Sequence, residues 1–176
     1  MRSFATALVF LAASWGLSFA EDRPLEDFYG QFTGVGIADS GALETSDISH
    51  RDLAVVIEPT EKGFKLTWTT YFVSSGDDAD ISLKEKSASL TFAPSADGKR
   101  FDAVGTGDPL AGVPSTWANI VDNSIIVNSV QVKPNGSYDV TSYIRTLTED
   151  GLDVTFIRFK DGAVTRRVRA DLTRDN

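Results

Sequence analysis

The stretch Arg51-Asp52-Leu53-Ala54-Val55-Val56-Ile57-Glu58-Pro59-Thr60-Glu61-Lys62-Gly63-Phe64-Lys65-Leu66-Thr67-Trp68-Thr69-Thr70-Tyr71-Phe72 decides the fold. In its second half Phe64, Leu66, Trp68, Thr70 and Phe72 share one face, and Lys65, Thr67, Thr69 and Tyr71 share the other. That period of two belongs to a half-buried strand. The first half repeats it with Leu53, Val55 and Ile57. Between them, Pro59 to Gly63 supplies a reversal, because proline presets one backbone angle and glycine accepts a positive one. A hairpin with one apolar and one polar face is therefore expected.

Working outward, the same device recurs along the chain. Asp27 to Ile37 reads as a first strand in which Gly30, Gly34 and Gly36 share a face with Phe28 and Phe32, suiting a sharp bend or a close backbone approach. Ala38 to His50 is a polar loop, whose acids either cap a short helix or stay solvated. Ser74 to Asp80 is an acidic turn that lacks the spacing and terminal Glu of a calcium loop. Ile81 to Ala93 changes apolar phase between Leu83 and Ala88, which implies a bulge near Glu85 to Ser87. Arg100 to Val104 and Ser115 to Val121 follow as strands, separated by a Gly/Pro-rich loop.

Three later turns, Pro134-Asn135-Gly136, Glu149-Asp150-Gly151 and Lys160-Asp161-Gly162, fit three-residue loops with glycine in the left-handed position. That reading pairs Val132 with Tyr138, Thr148 with Leu152 and Phe159 with Ala163. Ile126, Val130 and Val132 then share the inner face with Tyr138, Val140 and Ile144, and with Leu152, Val154, Phe156, Val164, Val168, Ala170 and Leu172. The expected fold class is all-β: an antiparallel up-and-down barrel of about eight to ten strands, in one domain spanning residues 21–176.

The same register sets polar residues on the inner face. Asn128 falls opposite Ser142, Ser142 opposite Arg158, and Arg166 opposite Phe156. Asp139, Asp153 and Asp171 take the outer phase, with Asp153 facing Arg169. An unpaired guanidinium in an apolar interior costs several kcal/mol. It is therefore paired internally, solvated at a rim, or held for an acidic ligand in a cavity walled by Trp68, Phe72, Tyr138 and Phe156. The expected ligand site is Trp68, Phe72, Asn128, Tyr138, Ser142, Phe156, Arg158 and Arg166.

The N-terminus reads as an address. A basic head, Met1-Arg2, precedes a nearly unbroken apolar run from Phe4 to Leu17 and a small residue at Ala20. This is the pattern of a secretory signal peptide over 1–20, cleaved after Ala20. The run is shorter than the roughly 20 apolar residues of a membrane span. Export to a bacterial periplasm or the medium follows, without stable membrane insertion.

Composition excludes several functions. The chain has 17 basic against 25 acidic residues, a net charge of −8, and loss of the leader removes one more positive charge, Arg2. A nucleic-acid partner needs the opposite balance. With no cysteine there is no disulfide, thiolate metal site or cysteine nucleophile. His50 is the single histidine and has no Gly-x-Ser-x-Gly elbow to serve, so it reads as a surface residue. No catalytic residue, metal or cofactor is expected.

Successive strands, each turning directly into the next, resemble the calycin barrels, lipocalins and fatty-acid-binding proteins. Phe28-Tyr29-Gly30-Gln31-Phe32 is similar to the lipocalin Gly-x-Trp signature, with Phe32 in place of tryptophan. Arg166-Arg167-Val168-Arg169 lies on the final strand, where that family keeps an arginine against the signature residue. The resemblance implies a small apolar or amphipathic ligand in the barrel, its carboxylate held by internal arginines. Two other classes stay open: a barrel that binds protein partners through its surface, and a barrel isomerase or cyclase that uses tyrosine or carboxylates without a motif.

Overall fold

The computed structural model of the chain describes residues 22–39, 49–75 and 81–175. The expected leader over 1–20, the middle of the polar loop and most of the acidic turn lie outside the described residues. Ten strands follow in order: β1 (Gly30–Asp39), β2 (Ser49–Pro59), β3 (Phe64–Ser75), β4 (Ile81–Pro94), β5 (Phe101–Ala103), β6 (Ser115–Val121), β7 (Ser124–Val132), β8 (Tyr138–Leu147), β9 (Gly151–Lys160) and β10 (Ala163–Arg174). Each pairs antiparallel with the next, and β1 pairs with β10 to close an up-and-down barrel. Closure leaves no sheet edge, so every strand finds two partners.

The quoted hairpin forms as its alternation requires. Pro59 pairs with Phe64, and the Thr60 N–H donates to the Gly63 carbonyl across the turn. Val55, Ile57, Phe64 and Leu66 are buried. With Phe28, Phe32, Phe92, Ile125 and Leu152 they form a solid apolar core. Phe64 stacks on Phe92 at 4.8 Å and meets the edge of Phe101 at 5.3 Å.

This core fills the end of the barrel that holds the β2–β3, β4–β5, β6–β7 and β8–β9 turns. A 3-10 turn, Leu25–Phe28, occupies the positions where a strand was expected to begin, and it inserts a fully buried Phe28. Arg174 fastens this plug. Its guanidinium donates to the carbonyls of Tyr29 and Asp27 and lies 4.5 Å over the Phe32 ring. The arginine against Phe32 is thus Arg174, at the end of β10, and not one of the Arg166 to Arg169 group. At Gly34 an added Cβ would lie 2.1 Å from the Asp171 carbonyl oxygen, the close approach expected of this strand.

Four expectations of register are corrected. β4 pairs with β3 without interruption from Phe92 to Ile81, so there is no bulge at Glu85 to Ser87. The inner phase simply continues from Leu90 and Ala88 to Lys86, because β4 here leaves the packed core and lines a cavity.

The β8–β9 connection is one residue longer than expected: Leu147, not Thr148, pairs with Leu152. Thr148 closes it, its N–H donating to the Gly151 carbonyl and its Oγ1 accepting from the Gly151 N–H. Gly151 is an ordinary extended residue of β9, needed because an added Cβ would strike the Leu172 carbonyl at 2.0 Å. The consequence is large, since a slip of one residue turns every side chain over. On β7 and β8 it is Ile125, Val127, Tyr143 and Arg145 that face inward, whereas Ile126, Val130, Val140 and Ile144 face out.

The β9–β10 turn is a two-residue Asp161-Gly162 turn with both φ angles positive, 51° and 83°. It would expose the wrong face of β10, but a bulge between Val164 and Arg166 restores the phase; Val164, expected on the inner face, instead pairs with Phe159 in the outer phase. Val168 then pairs with Phe156, and Arg166 with Arg158, in place of the expected Arg166–Phe156 pair. Finally, Asp153 faces Asp171, while Arg169 faces Thr155.

Candidate functional site

Above the packed core the barrel is hollow. The cavity has a volume of about 570 Å³, within the ~300–1,000 Å³ range of small-molecule sites. Its walls come from nearly every strand: Leu53 and Val55, Leu66 and Trp68, Leu90, Val127, Tyr143, Phe156 and Val168 supply apolar surface. Tyr143 stands between Trp68 and Phe156, with ring centroids 5.5 Å and 4.3 Å away.

The charge of the lining opposes that of the chain. Arg51, Lys86, Arg145, Arg158 and Arg166 line the cavity, and no Asp or Glu does so among the described residues. Arg158 and Arg166 are exposed and mark the mouth. Arg158 is also neutralised locally. Asp139, expected on the outer face, follows the inverted phase of β8 and contacts Arg158 Nη2 at 3.2 Å and Lys133 Nζ at 2.9 Å. The Lys133 hydrogen bond, aided by Arg158, holds the Asp139 carboxyl below the usual range against the opposing effect of burial.

Arg145 is different in kind. It is 1 % exposed, and its Nε and Nη1 groups are buried with no hydrogen-bond partner among the described residues. Its guanidinium lies 5.0 Å from the Tyr143 ring centre and 5.9 Å from that of Trp68. Those faces offer partial compensation for a desolvated cation. Burial still pulls its pKa down to about 10, leaving it charged at neutral pH. Burial also raises the Tyr143 phenol, an effect opposed by the nearby guanidiniums of Arg145, Arg166 and Arg158.

Arg51 makes a second such position, its guanidinium 5.2 Å from the Phe72 ring centre and its Nε buried with no partner among the described residues. Burial, and then repulsion from Arg166, lower its pKa.

Of the eight residues expected around a ligand, Trp68, Phe72, Phe156, Arg158 and Arg166 do line the cavity. Asn128, Ser142 and Tyr138 do not. Asn128 and Ser142 pair as expected, but on the outer face, and Thr141 takes the place opposite Arg158. Tyr138 pairs with Val132 and is 39 % exposed.

Arg145, Tyr143 and Arg51 were missed. Arg51 only required extending the odd phase of Leu53, Val55 and Ile57 by one step. Arg145 required allowing Thr148-Glu149-Asp150-Gly151 as a four-residue loop, against the count of apolar residues on the two faces. His50 lies exposed on β2, paired with Ile37 and away from the cavity lining. Among the described residues no three His, Asp or Glu side chains gather as metal ligands.

Comparison with protein-family models, curated proteins and solved structures found no match to this chain.

Proposed function

We propose that the barrel is a carrier or receptor for a small amphipathic anion, its apolar part against Trp68, Tyr143 and Phe156 and its acidic group on Arg145. The observation that carries this reading is a fully buried guanidinium with two donors unpartnered among the described residues, in a cavity that those residues line with five cations and no acid. A planar donor fork in an apolar chamber suits a carboxylate or a similar oxyanion. Protein with a filled interior would favour docking through the outer surface; here the interior is open. The closed ten-strand barrel, with Arg174 over Phe32, agrees with the calycin resemblance. Residues 1–20 belong to the same proposal as an export signal, checked by the intact mass of the exported protein.

Tryptophan fluorescence and calorimetric titration with dodecanoate and dodecanol test the proposal. Wild type should bind dodecanoate and discriminate against the alcohol. Arg145→Met should weaken dodecanoate binding by ~10- to 150-fold, the range of a charged hydrogen bond of ~1.5–3 kcal/mol. Equal uptake of acid and alcohol, or acid binding indifferent to Arg145→Met, would sink it.

A further inference from the structure

Two cations, not one, are held over aromatic rings on the inner face of β3. Arg145 lies over Trp68, and Arg51 over Phe72. Trp68 and Phe72 are four residues apart on one strand, so they lie about 13 Å apart along it at ~3.3 Å per residue. Each guanidinium has at least one buried N–H with no partner among the described residues. Arg51 additionally sits in the repulsive field of Arg166, and both line the cavity. Between the two levels the wall offers Thr70 with the apolar surface of Leu53 and Phe156.

A ligand with one acidic end satisfies only one of these positions. Bound at Arg145, it leaves Arg51 and Arg166 repelling each other, with no acid lining the cavity beside them among the described residues. Bound at Arg51, it leaves Arg145, the most buried charge among the described residues, bare. From this we infer that the cavity's ligand is anionic at both ends, an elongated dianion of the α,ω-dicarboxylate type. One carboxylate meets Arg145 at depth, the other meets Arg51 and Arg166 towards the mouth, and an apolar chain spans the rings between. Arg158, already paired with Asp139, is not needed for the outer carboxylate. The inference rests on the anion-binding reading above and narrows it to a substrate class.

Calorimetric titration of the full protein with dodecanedioate, its monomethyl ester and dodecanoate separates the cases. These probes share one backbone length, comparable to the spacing of the two levels. Wild type should prefer the diacid over both monoanions by at least tenfold. Arg51→Met should erase that preference, costing the diacid at least tenfold more affinity than it costs dodecanoate. Arg166→Gln provides a second variant, expected to reduce the preference in part, should Arg51→Met unfold.

Equal affinity of wild type for diacid and monoanions would overturn the dianion inference and leave the single-anion reading standing. So would a loss on Arg51→Met that falls equally on all three probes. Failure of every probe to bind would overturn both.

Discussion

Removing the charge of Arg145 should make the empty protein more stable and the ligand-loaded protein less so. The fall of its pKa to about 10 corresponds to a desolvation cost of roughly 3 kcal/mol, at ~1.4 kcal/mol per tenfold change in proton affinity. The Tyr143 and Trp68 faces return about 1–2 kcal/mol of this. Methionine at the same place keeps contact with both rings and needs no hydrogen bonds. Arg145→Met should thus raise stability by about 1–2 kcal/mol, as replacement of buried charge by an apolar side chain often does.

For a domain of this length that is an increase of roughly 2–8 °C in Tm. The assay is thermal and urea unfolding of the ligand-free proteins, followed by repetition in dodecanoate. A ligand at a hundred times its Kd adds about 2.7 kcal/mol to the protein that binds it. A variant weakened ~10- to 150-fold gains about 0.3–1.4 kcal/mol at the same concentration, which narrows its lead and, over most of that range, inverts the order of the two melting curves. A ligand-free variant less stable than wild type by more than ~1 kcal/mol would refute the reasoning, because the guanidinium would then have to be satisfied within the empty barrel.

The remaining predictions concern the mouth and the packed end. Asp139 has a carboxyl held below its ordinary value, so its contribution to stability is full above that value and disappears as pH falls through the lower folded one. Asp139→Asn should accordingly be less stable than wild type at neutral pH, with the gap in urea unfolding narrowing below pH ~4; a gap constant with pH would contradict it. Phe64 is fully buried between Phe92 and Phe101 at the closed end. Phe64→Ala should cost about 3–5 kcal/mol while leaving dodecanoate affinity per folded molecule nearly unchanged; a matching loss of affinity would mean that the core and cavity are one mechanical unit.

What was legible in the sequence was the alternation. Phe64, Leu66, Trp68, Thr70 and Phe72 could satisfy burial only as one face of a strand. Leu152, Val154 and Phe156, against Val168, Ala170 and Leu172, could only share an interior. An all-β barrel follows from such strands joined by short turns, and the inward phase of Arg158 and Arg166 follows with it. Turn lengths were not legible, because Asp-Gly serves loops of different sizes. At β9–β10 the error was harmless: the bulge beside Thr165 absorbed it, since burial of Val168 and Ala170 fixed the phase.

At β7 and β8 the error mattered. Ile125, Ile126 and Val127 are apolar in both phases, as are Tyr143 and Ile144, so hydrophobicity could not choose a face. Burial alone argued against an inward Arg145, and it was the tertiary structure that placed it there. Closure of the barrel fixes β8 between β7 and β9 through many backbone hydrogen bonds, and the four-residue Thr148 to Gly151 loop then determines which side each residue takes. A single guanidinium's cost is small beside that ladder. The residue least expected inside is accordingly the one around which the candidate site is built.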